Sequence, residues 1–287
     1  MFRILLAIIG FLLAWPASAQ DQKNNRSLLW KITGRNMQQP SYLFGTIHLI
    51  CPSDYLWTAK MSASLRSCKE VCFEMDMDDP TVPMKIAMGM IDSSGKTLKD
   101  YFTEADFSLL ERFMQDSLGL NLSVFMQMKP SALQSLLAIK SVDCDNPESY
   151  EGKIMDEAKS AGLEVGGLES PEEQIALLDR LGTDSSLQEM IATIRDYRAE
   201  KEKFDLLIQA YKKQDLPGLH QLMSEATSLK DDLTSFLDER NIRWIARMED
   251  KMDLHPVFFA VGAGHLWGTN GVITLLRQAG YTVTPVW

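Results

Sequence analysis

Short apolar runs near both ends of the chain predict the strands of a β-sheet. Each run has strand length, and turn-forming residues border most of them. The runs cover residues 28–34, 41–44, 70–75, 163–168, 257–261 and 281–286. A helix predicted over residues 271–278 separates the last two runs. A strand–helix–strand unit of this kind is typical of a sheet that contains parallel strands.

Apolar positions with helical spacing dominate the middle of the chain. The sequence Ser170-Pro171-Glu172-Glu173 is a strong helix start signal, because it combines a capping box with proline at the first helical position. Residues 186–213 predict one long charged helix, and Leu216-Pro217-Gly218 predicts a turn. Residues 229–252 predict a further long helix.

These elements together predict a mixed α/β fold. We expect a central, largely parallel β-sheet flanked by helices, with a long helical insertion over about residues 103–252. Because the sequence contains no linker-like segment, we expect one domain over residues 20–287.

The first 19 residues have the parts of a secretory signal peptide. Arg3 precedes an apolar stretch over residues 4–15, and Ala17-Ser18-Ala19 forms a small-residue cleavage site. A membrane anchor is the alternative, but the apolar stretch is shorter than the ~20 residues that cross a bilayer. We therefore expect an exported protein, periplasmic or extracellular, without stable membrane insertion after cleavage.

The charge balance argues against nucleic acid as a partner. The chain carries 29 basic and 39 acidic residues, which gives a formal net charge of −10. Nucleic-acid-binding proteins present clustered positive charge, whereas the basic residues here are scattered.

Four cysteines, an even number, predict disulfides in an exported protein. Cys68 and Cys72 are close enough in sequence to pair locally, and a bond between Cys51 and Cys144 would close a long loop. Two disulfides are the expectation, with three possible pairings. A zinc site built from the four thiolates is disfavoured, because only one close pair is present.

The same local pattern occurs near each end of the chain. Both Phe44-Gly45-Thr46-Ile47-His48-Leu49 and Val261-Gly262-Ala263-Gly264-His265-Leu266 place G-x-x-H directly after an apolar strand. Ligands of open α/β sheets bind at the carboxyl ends of the strands. His48 and His265, 217 residues apart, could therefore meet in one site if their strands are neighbours.

Three further polar residues are candidates for this site. Glu74 lies in an apolar strand, where a carboxylate is costly unless it is paired, hydrogen-bonded or bound to metal. Glu169 ends another strand, although capping of the following helix also explains an acid there. Arg240 lies in a partly apolar helix and could orient a carboxylate or stabilise an anionic intermediate, or form an ordinary surface ion pair.

The order of these motifs resembles that of the TraB/GumN family, whose relatives include the Tiki proteins. The resemblance covers nearly the whole mature chain and rests on segments at residues 29–32, 42–48, 71–74, 167–169, 239–241, 260–266, 271–276 and 281–283. It implies a mixed α/β fold and a metal-dependent hydrolase of the metalloprotease type.

The resemblance also implies roles for the candidate residues. His48 and His265 match the two motif histidines, and Glu74 matches the strand carboxylate; we expect these three to hold one divalent cation, such as Zn, Mn or Co. Glu169 and Arg240 match further polar positions. We expect Glu169 to act as general base and Arg240 to stabilise the developing oxyanion, with a peptide or protein as substrate.

Two other interpretations remain open at this point. His48 and His265 could act as acid and base of a hydrolase that uses no metal. Alternatively, the chain could be an exported module that binds a peptide or glycan without cleaving it. Serine-hydrolase, P-loop, dinucleotide and H-E-x-x-H motifs are absent from the sequence, so those classes have no support.

Overall fold

A six-stranded mixed sheet forms the centre of the protein. The computed structural model describes residues 26–35, 37–140, 142, 144–181, 184–226 and 230–287, so the predicted signal peptide lies outside the described residues. The strands are β1 (Leu29–Thr33), β2 (Ser41–Thr46), β3 (Glu70–Met75), β4 (Glu164–Glu169), β5 (Val257–Gly262) and β6 (Thr282–Pro285).

The sheet is largely parallel, as predicted. Its order is β4-β3-β5-β2-β1-β6, and the first four strands in that order are mutually parallel. Strand β1 runs antiparallel to both of its neighbours, β2 and β6. Strands β5 and β6 thus point the same way, but β2 and β1 lie between them.

Eleven α-helices occur within the described ranges. They are α1 (Ala59–Arg66), α2 (Val82–Gly89), α3 (Glu104–Leu118), α4 (Pro130–Lys140), α5 (Tyr150–Ser160), α6 (Pro171–Leu181), α7 (Asp184–Arg195), α8 (Tyr197–Lys212), α9 (Leu216–Ala226), α10 (Lys230–Leu254) and α11 (Val272–Gln278). The mixed α/β class predicted from the sequence is confirmed.

The centre of the sheet is buried on both faces. Consecutive residues point to opposite faces of a strand, yet Val71, Cys72 and Phe73 of β3 are all buried, as are residues 257–261 of β5. Continuous apolar runs of this kind are typical of parallel strands covered on both sides. Glu74 therefore lies on an interior strand that pairs with β4 and β5, not on an edge.

Several helix ends follow the predicted signals. Thr103 caps α3 through its side chain, and Gly119 ends that helix with a φ of 65°, which suits glycine. At the start of α6, the Ser170 hydroxyl accepts from the Glu173 backbone N–H, and the Glu173 carboxylate accepts from the Ser170 backbone N–H. The predicted capping box is therefore confirmed.

Two helix predictions are wrong. Residues 186–213 do not form one helix, because Asp196 separates α7 from α8 and caps α8 by accepting from the Ala199 backbone N–H. Leu216-Pro217-Gly218 is the first turn of α9 instead of a separate turn. Proline fits there, because backbone nitrogens in the first turn of a helix donate no hydrogen bond within the helix.

A second hydrophobic cluster lies apart from the main core, which surrounds the sheet. It is built mainly by α3, α4 and α7, and Leu110, Met114 and Leu133 are among its most deeply buried side chains. These helices fall within the predicted insertion over about residues 103–252. The same range also contains β4, which pairs with β3 in the sheet.

One disulfide is present, between Cys51 and Cys144, whose Cα atoms are 5.9 Å apart. The expectation of a second bond is wrong, because Cys68 and Cys72 are free and buried in the core. Burial raises the pKa of both thiols, which keeps them protonated and unreactive. The observed bond is compatible with export, which stays a prediction.

In the part of the chain that the structure describes, every helix is too short or too polar to cross a membrane.

Replacing Cys51 and Cys144 together by serine is expected to lower the free energy of unfolding by about 2–5 kcal/mol, because the bond links residues 93 positions apart. Urea unfolding measures the loss. Reductant should destabilise the wild type to the same extent and leave the double variant unchanged. Ellman's reagent should detect no reactive thiol before unfolding and two afterwards. If reductant leaves the stability of the wild type unchanged, the assignment of this disulfide is wrong.

Candidate active site

The carboxyl ends of four parallel strands meet at one edge of the sheet. Thr46 ends β2, Glu169 ends β4 and Gly262 ends β5, while Glu74 is the penultimate residue of β3. Strands β2 and β5 are direct neighbours, with Thr46 opposite Gly262. The condition for the two G-x-x-H motifs to share a site is therefore met.

The two motifs are in direct contact at Gly45, and the glycine of the second motif approaches Glu74. A Cβ atom on Gly45 would lie 3.1 Å from the Cα atom of Ala263, so only glycine allows the segments to approach this closely. A Cβ atom on Gly262 would lie 3.2 Å from Oε1 of Glu74. The backbone N–H of Gly262 donates to that oxygen at 2.8 Å, which fixes the Glu74 carboxylate at the strand end.

Arg240, on α10, is the centre of the site. Its Nε and Nη2 atoms donate to the Glu169 carboxylate at 2.8–3.2 Å, and Nη2 also donates to Oε2 of Glu74 at 2.5 Å. The Nη1 atom lies 3.0 Å from Nε2 of His265, and the guanidinium lies over the Trp244 ring at 4.8 Å. The Arg240 side chain is only 7% exposed, and its burial is tolerated because Nε, Nη1, Nη2 and the face of the guanidinium each contact another group.

The hydrogen bonds of Asn241 determine the tautomer of His265. The Asn241 amide nitrogen donates to two backbone carbonyls, those of His265 and Asn270, so its Oδ1 atom must accept. Nδ1 of His265 lies 2.6 Å from that Oδ1 and therefore carries a proton. Nε2 then presents a lone pair toward Arg240 and Glu74, whose Oε1 atom is 3.8 Å away.

Burial and neighbouring charges set the protonation states of this pair. Burial is the main cause that lowers the pKa of His265 to about 3, and the nearby Arg240 lowers it further. Burial alone would raise the pKa of Glu74, but His265, Arg240 and His48, with the Gly262 N–H, lower it to about 2. The site thus contains a neutral imidazole beside an ionised carboxylate at neutral pH.

His48 lies in a different environment from His265. Its side chain is 75% exposed, and its Nδ1 atom is 3.0 Å from Oε1 of Glu151, on the first turn of α5. This hydrogen bond is the largest cause that raises the pKa of His48 above its ordinary range. His48 is near enough for its charge to lower the pKa of Glu74, but its direct partner is Glu151.

Glu169 is the most deeply buried of the predicted residues. Its side chain is 0% exposed, and Arg243 lies 3.5 Å from it in addition to the contacts with Arg240. The Gln174 amide also donates to its carboxylate. The predicted general-base role stays a prediction, but both carboxylate oxygens are already held by positively charged or amide groups.

Three residues of the observed site are not among the candidates that the sequence predicts. In the sequence, Glu151 is an acidic residue at the start of a predicted helix, and the helix dipole alone explains an acid there. Asn241 adjoins Arg240, and Thr46 lies inside the first G-x-x-H motif, where the hydroxyl donates to Glu151 at 2.7 Å. Their partners are more than 20 residues away in the chain, so only the fold reveals these contacts.

The sequence profile of the TraB/PrgY/gumN family matches residues 28–285. The chain belongs to this family. Relatives include Metalloprotease TIKI2 of Danio rerio (24% identity, 92% of this chain) and of Xenopus tropicalis (23%, 92%). Metalloprotease TIKI1 of Homo sapiens is 24% identical over 92% of this chain. The alignments cover 60–62% of these three relatives, so the chain spans about three-fifths of their length. No solved structure gives a significant match.

The chemistry of the predicted ligands suits a divalent cation, although their arrangement is incomplete. His265 offers an Nε2 lone pair and Glu74 an ionised carboxylate, which are donors that Zn, Mn and Co accept. Asn241 holds the opposite nitrogen of His265, as outer partners of metal-binding histidines commonly do. Within the described ranges, however, no group of three His, Cys, Asp or Glu side chains is arranged to hold a metal, and Arg240 contacts both Glu74 and His265.

Glu169→Gln is expected to lower the free energy of unfolding by about 3 kcal/mol, because removal of one charged partner leaves Arg240 incompletely paired in a buried position. Urea unfolding at neutral pH checks this value. Glu239→Gln is the matched control: Glu239 precedes Arg240 but pairs with Arg180 at the surface, and its loss should cost less than about 1 kcal/mol. Equal effects of the two substitutions would contradict the central role of the buried pair.

Gly45→Ala is expected to destabilise the fold by about 1–3 kcal/mol, because the new methyl group would overpack against Ala263 and Leu266 at 3.0–3.1 Å. Thermal unfolding reports the change. Gly152→Ala serves as the control, since a Cβ atom there meets only ordinary contacts at 3.6 Å and longer. A Gly45→Ala protein as stable as wild type would show that the two motifs do not pack this closely.

Proposed function

We propose that the chain is an exported, metal-dependent hydrolase that cleaves peptide or protein substrates at the carboxyl edge of the sheet. The observation that carries the proposal is the convergence of Glu74, Arg240 and His265, three polar residues from separate elements whose side chains are at most 15% exposed. Family membership supports it, since the relatives cited above are named metalloproteases. The cation, the substrate and the residue roles are all parts of this proposal.

In this proposal His48, Glu74 and His265 would hold the cation. A bound divalent cation lowers the pKa of a water molecule and polarises a carbonyl group. Glu74 contributes an ionised carboxylate that the Gly262 N–H keeps at the strand end. His265 contributes a neutral ring whose Nε2 lone pair faces Glu74, and His48 contributes the exposed ring next to open solvent.

Arg240 supplies a fixed positive charge for the substrate. A guanidinium held in a buried site can stabilise negative charge that develops on a carbonyl oxygen during hydrolysis. Glu169 holds the Nε and Nη2 atoms on one edge of this guanidinium, so its position does not depend on the substrate. We assign Glu169 to this positioning role in preference to proton transfer, because its side chain is fully buried and hydrogen-bonded.

A hydrolase without a metal is the second candidate. The observation that favours it is the contact of Arg240 with both Glu74 and His265, because the guanidinium already places a positive charge between these two groups. In that case Arg240 would stabilise the oxyanion, and the exposed His48 would transfer the proton.

The decisive experiment measures cleavage of a peptide library by the purified mature protein, after chelation and after addition of Zn²⁺, Mn²⁺ or Co²⁺. Mass spectrometry detects the products. Activity should disappear with chelator and return with one of the cations, and Glu74→Gln and His265→Ala should each lower it at least about 100-fold. His220→Ala is the control outside the site and should retain activity.

The other outcomes separate the candidates. Cleavage that survives exhaustive chelation but is lost in Arg240→Met would support the metal-free hydrolase. Peptide binding without cleavage under all conditions would overturn both proposals and support the non-catalytic module.

A further inference from the structure

The two motif histidines differ in the group that holds their Nδ1 atom. In His265 this atom faces the neutral amide of Asn241, whereas in His48 it faces the carboxylate of Glu151. A carboxylate accepts hydrogen bonds and cannot donate, so Nδ1 of His48 carries a proton whether the ring is charged or neutral, and Nε2 is the atom left for other contacts once the ring is neutral. The two rings are thus oriented in the same way by partners of different charge.

Two hydrogen bonds hold the Glu151 carboxylate in place. Its Oε1 atom accepts from the Thr46 hydroxyl at 2.7 Å as well as from His48 at 3.0 Å. Its side chain is largely buried, although it contacts an exposed histidine. Position on the first turn of α5, which Ser149 caps, further favours a negative charge.

Burial of an acid against an exposed histidine needs an explanation. A buried carboxylate has a desolvation cost, and an ion pair with an exposed histidine offsets little of it. Thr46 belongs to the same G-x-x-H motif as His48, so one carboxylate connects two positions of that motif. The contact therefore fixes both the path of the loop and the orientation of the ring.

We propose that Glu151 is a positioning residue for His48, which holds Nδ1–H so that Nε2 remains available to the cation or the substrate. The role of Nε2 in binding the cation or the substrate rests on the proposed function. The orientation of the His48 ring rests only on its contact with Glu151. An anionic partner at Nδ1 also strengthens Nε2 as a donor, as outer carboxylates do for metal-binding histidines. Neither the family match nor the names of the relatives assigns a role to Glu151.

The test compares Glu151→Ala, Glu151→Gln and Glu157→Gln in the metal-free mature protein. Glu157 is the matched control, because it lies on the same helix but bonds with Ser62, Trp57 and Arg66. Nitrogen-15 NMR of the histidine rings reports which ring nitrogen carries the proton, at a pH where the imidazole is neutral.

Nδ1 of His48 should be protonated in the wild type and in Glu157→Gln. Glu151→Ala should move the proton to Nε2, the preferred site of a free histidine. Glu151→Gln, whose amide oxygen still accepts, should restore Nδ1 protonation at least in part. A His48 ring that is unchanged in Glu151→Ala, or changed equally in Glu157→Gln, would overturn the proposal, and His265 should be unaffected in every variant.

A second measurement separates this inference from the proposed function. Binding of Co²⁺ alone, followed by visible absorption, should weaken about 10–100-fold in Glu151→Ala, recover partly in Glu151→Gln and stay unchanged in Glu157→Gln. If the NMR result holds while the wild type neither binds cations nor cleaves peptides, positioning by Glu151 stands and the hydrolase proposal fails. If cleavage and binding are normal in Glu151→Ala, the positioning role is wrong and the hydrolase proposal stands.

Discussion

The structure depends on one buried guanidinium and the groups that surround it. Arg240 joins helix α10 to the ends of β3, β4 and β5 through Glu74, Glu169 and His265. Each of these groups would be costly to bury alone, and they are tolerated because each is the partner of another. The same arrangement fixes the charged groups of the candidate site before any ligand arrives, and electrostatic stabilisation of a reaction requires such fixed groups.

The order of strands explains why this site lies where it does. Strand β5 is inserted between β2 and β3, so a segment from the end of the chain lies between two from the beginning. Both G-x-x-H motifs and the carboxylate of Glu74 consequently reach one edge of the sheet. Helices α5 and α10 precede β4 and β5 and run back along the sheet, which brings Glu151 and Arg240 to the same edge.

Local signals in the sequence were sufficient for most elements but not for their contacts. Apolar runs predicted all six strands, and Thr103, Gly119 and Ser170 marked helix ends through interactions within a few residues. The break at Asp196 was missed, since one capping aspartate in a charged run resembles a surface residue. Free Cys68 and Cys72 were also missed, because the positions of two cysteines in the fold, not their spacing in the sequence, decide whether their thiols meet. Likewise, Glu151 becomes a candidate site residue only through its contact with His48, which lies 103 residues earlier.

The close approach of Gly45 to Ala263 has a consequence for the life of the chain before it is complete. One half of the candidate site is synthesised first and the other half almost last, with the helical segments made in between. A chain still bound to the ribosome therefore has His48 and Glu74 but lacks the second motif against which they are organised. The candidate site is consequently assembled only when the C-terminal strands have joined the sheet.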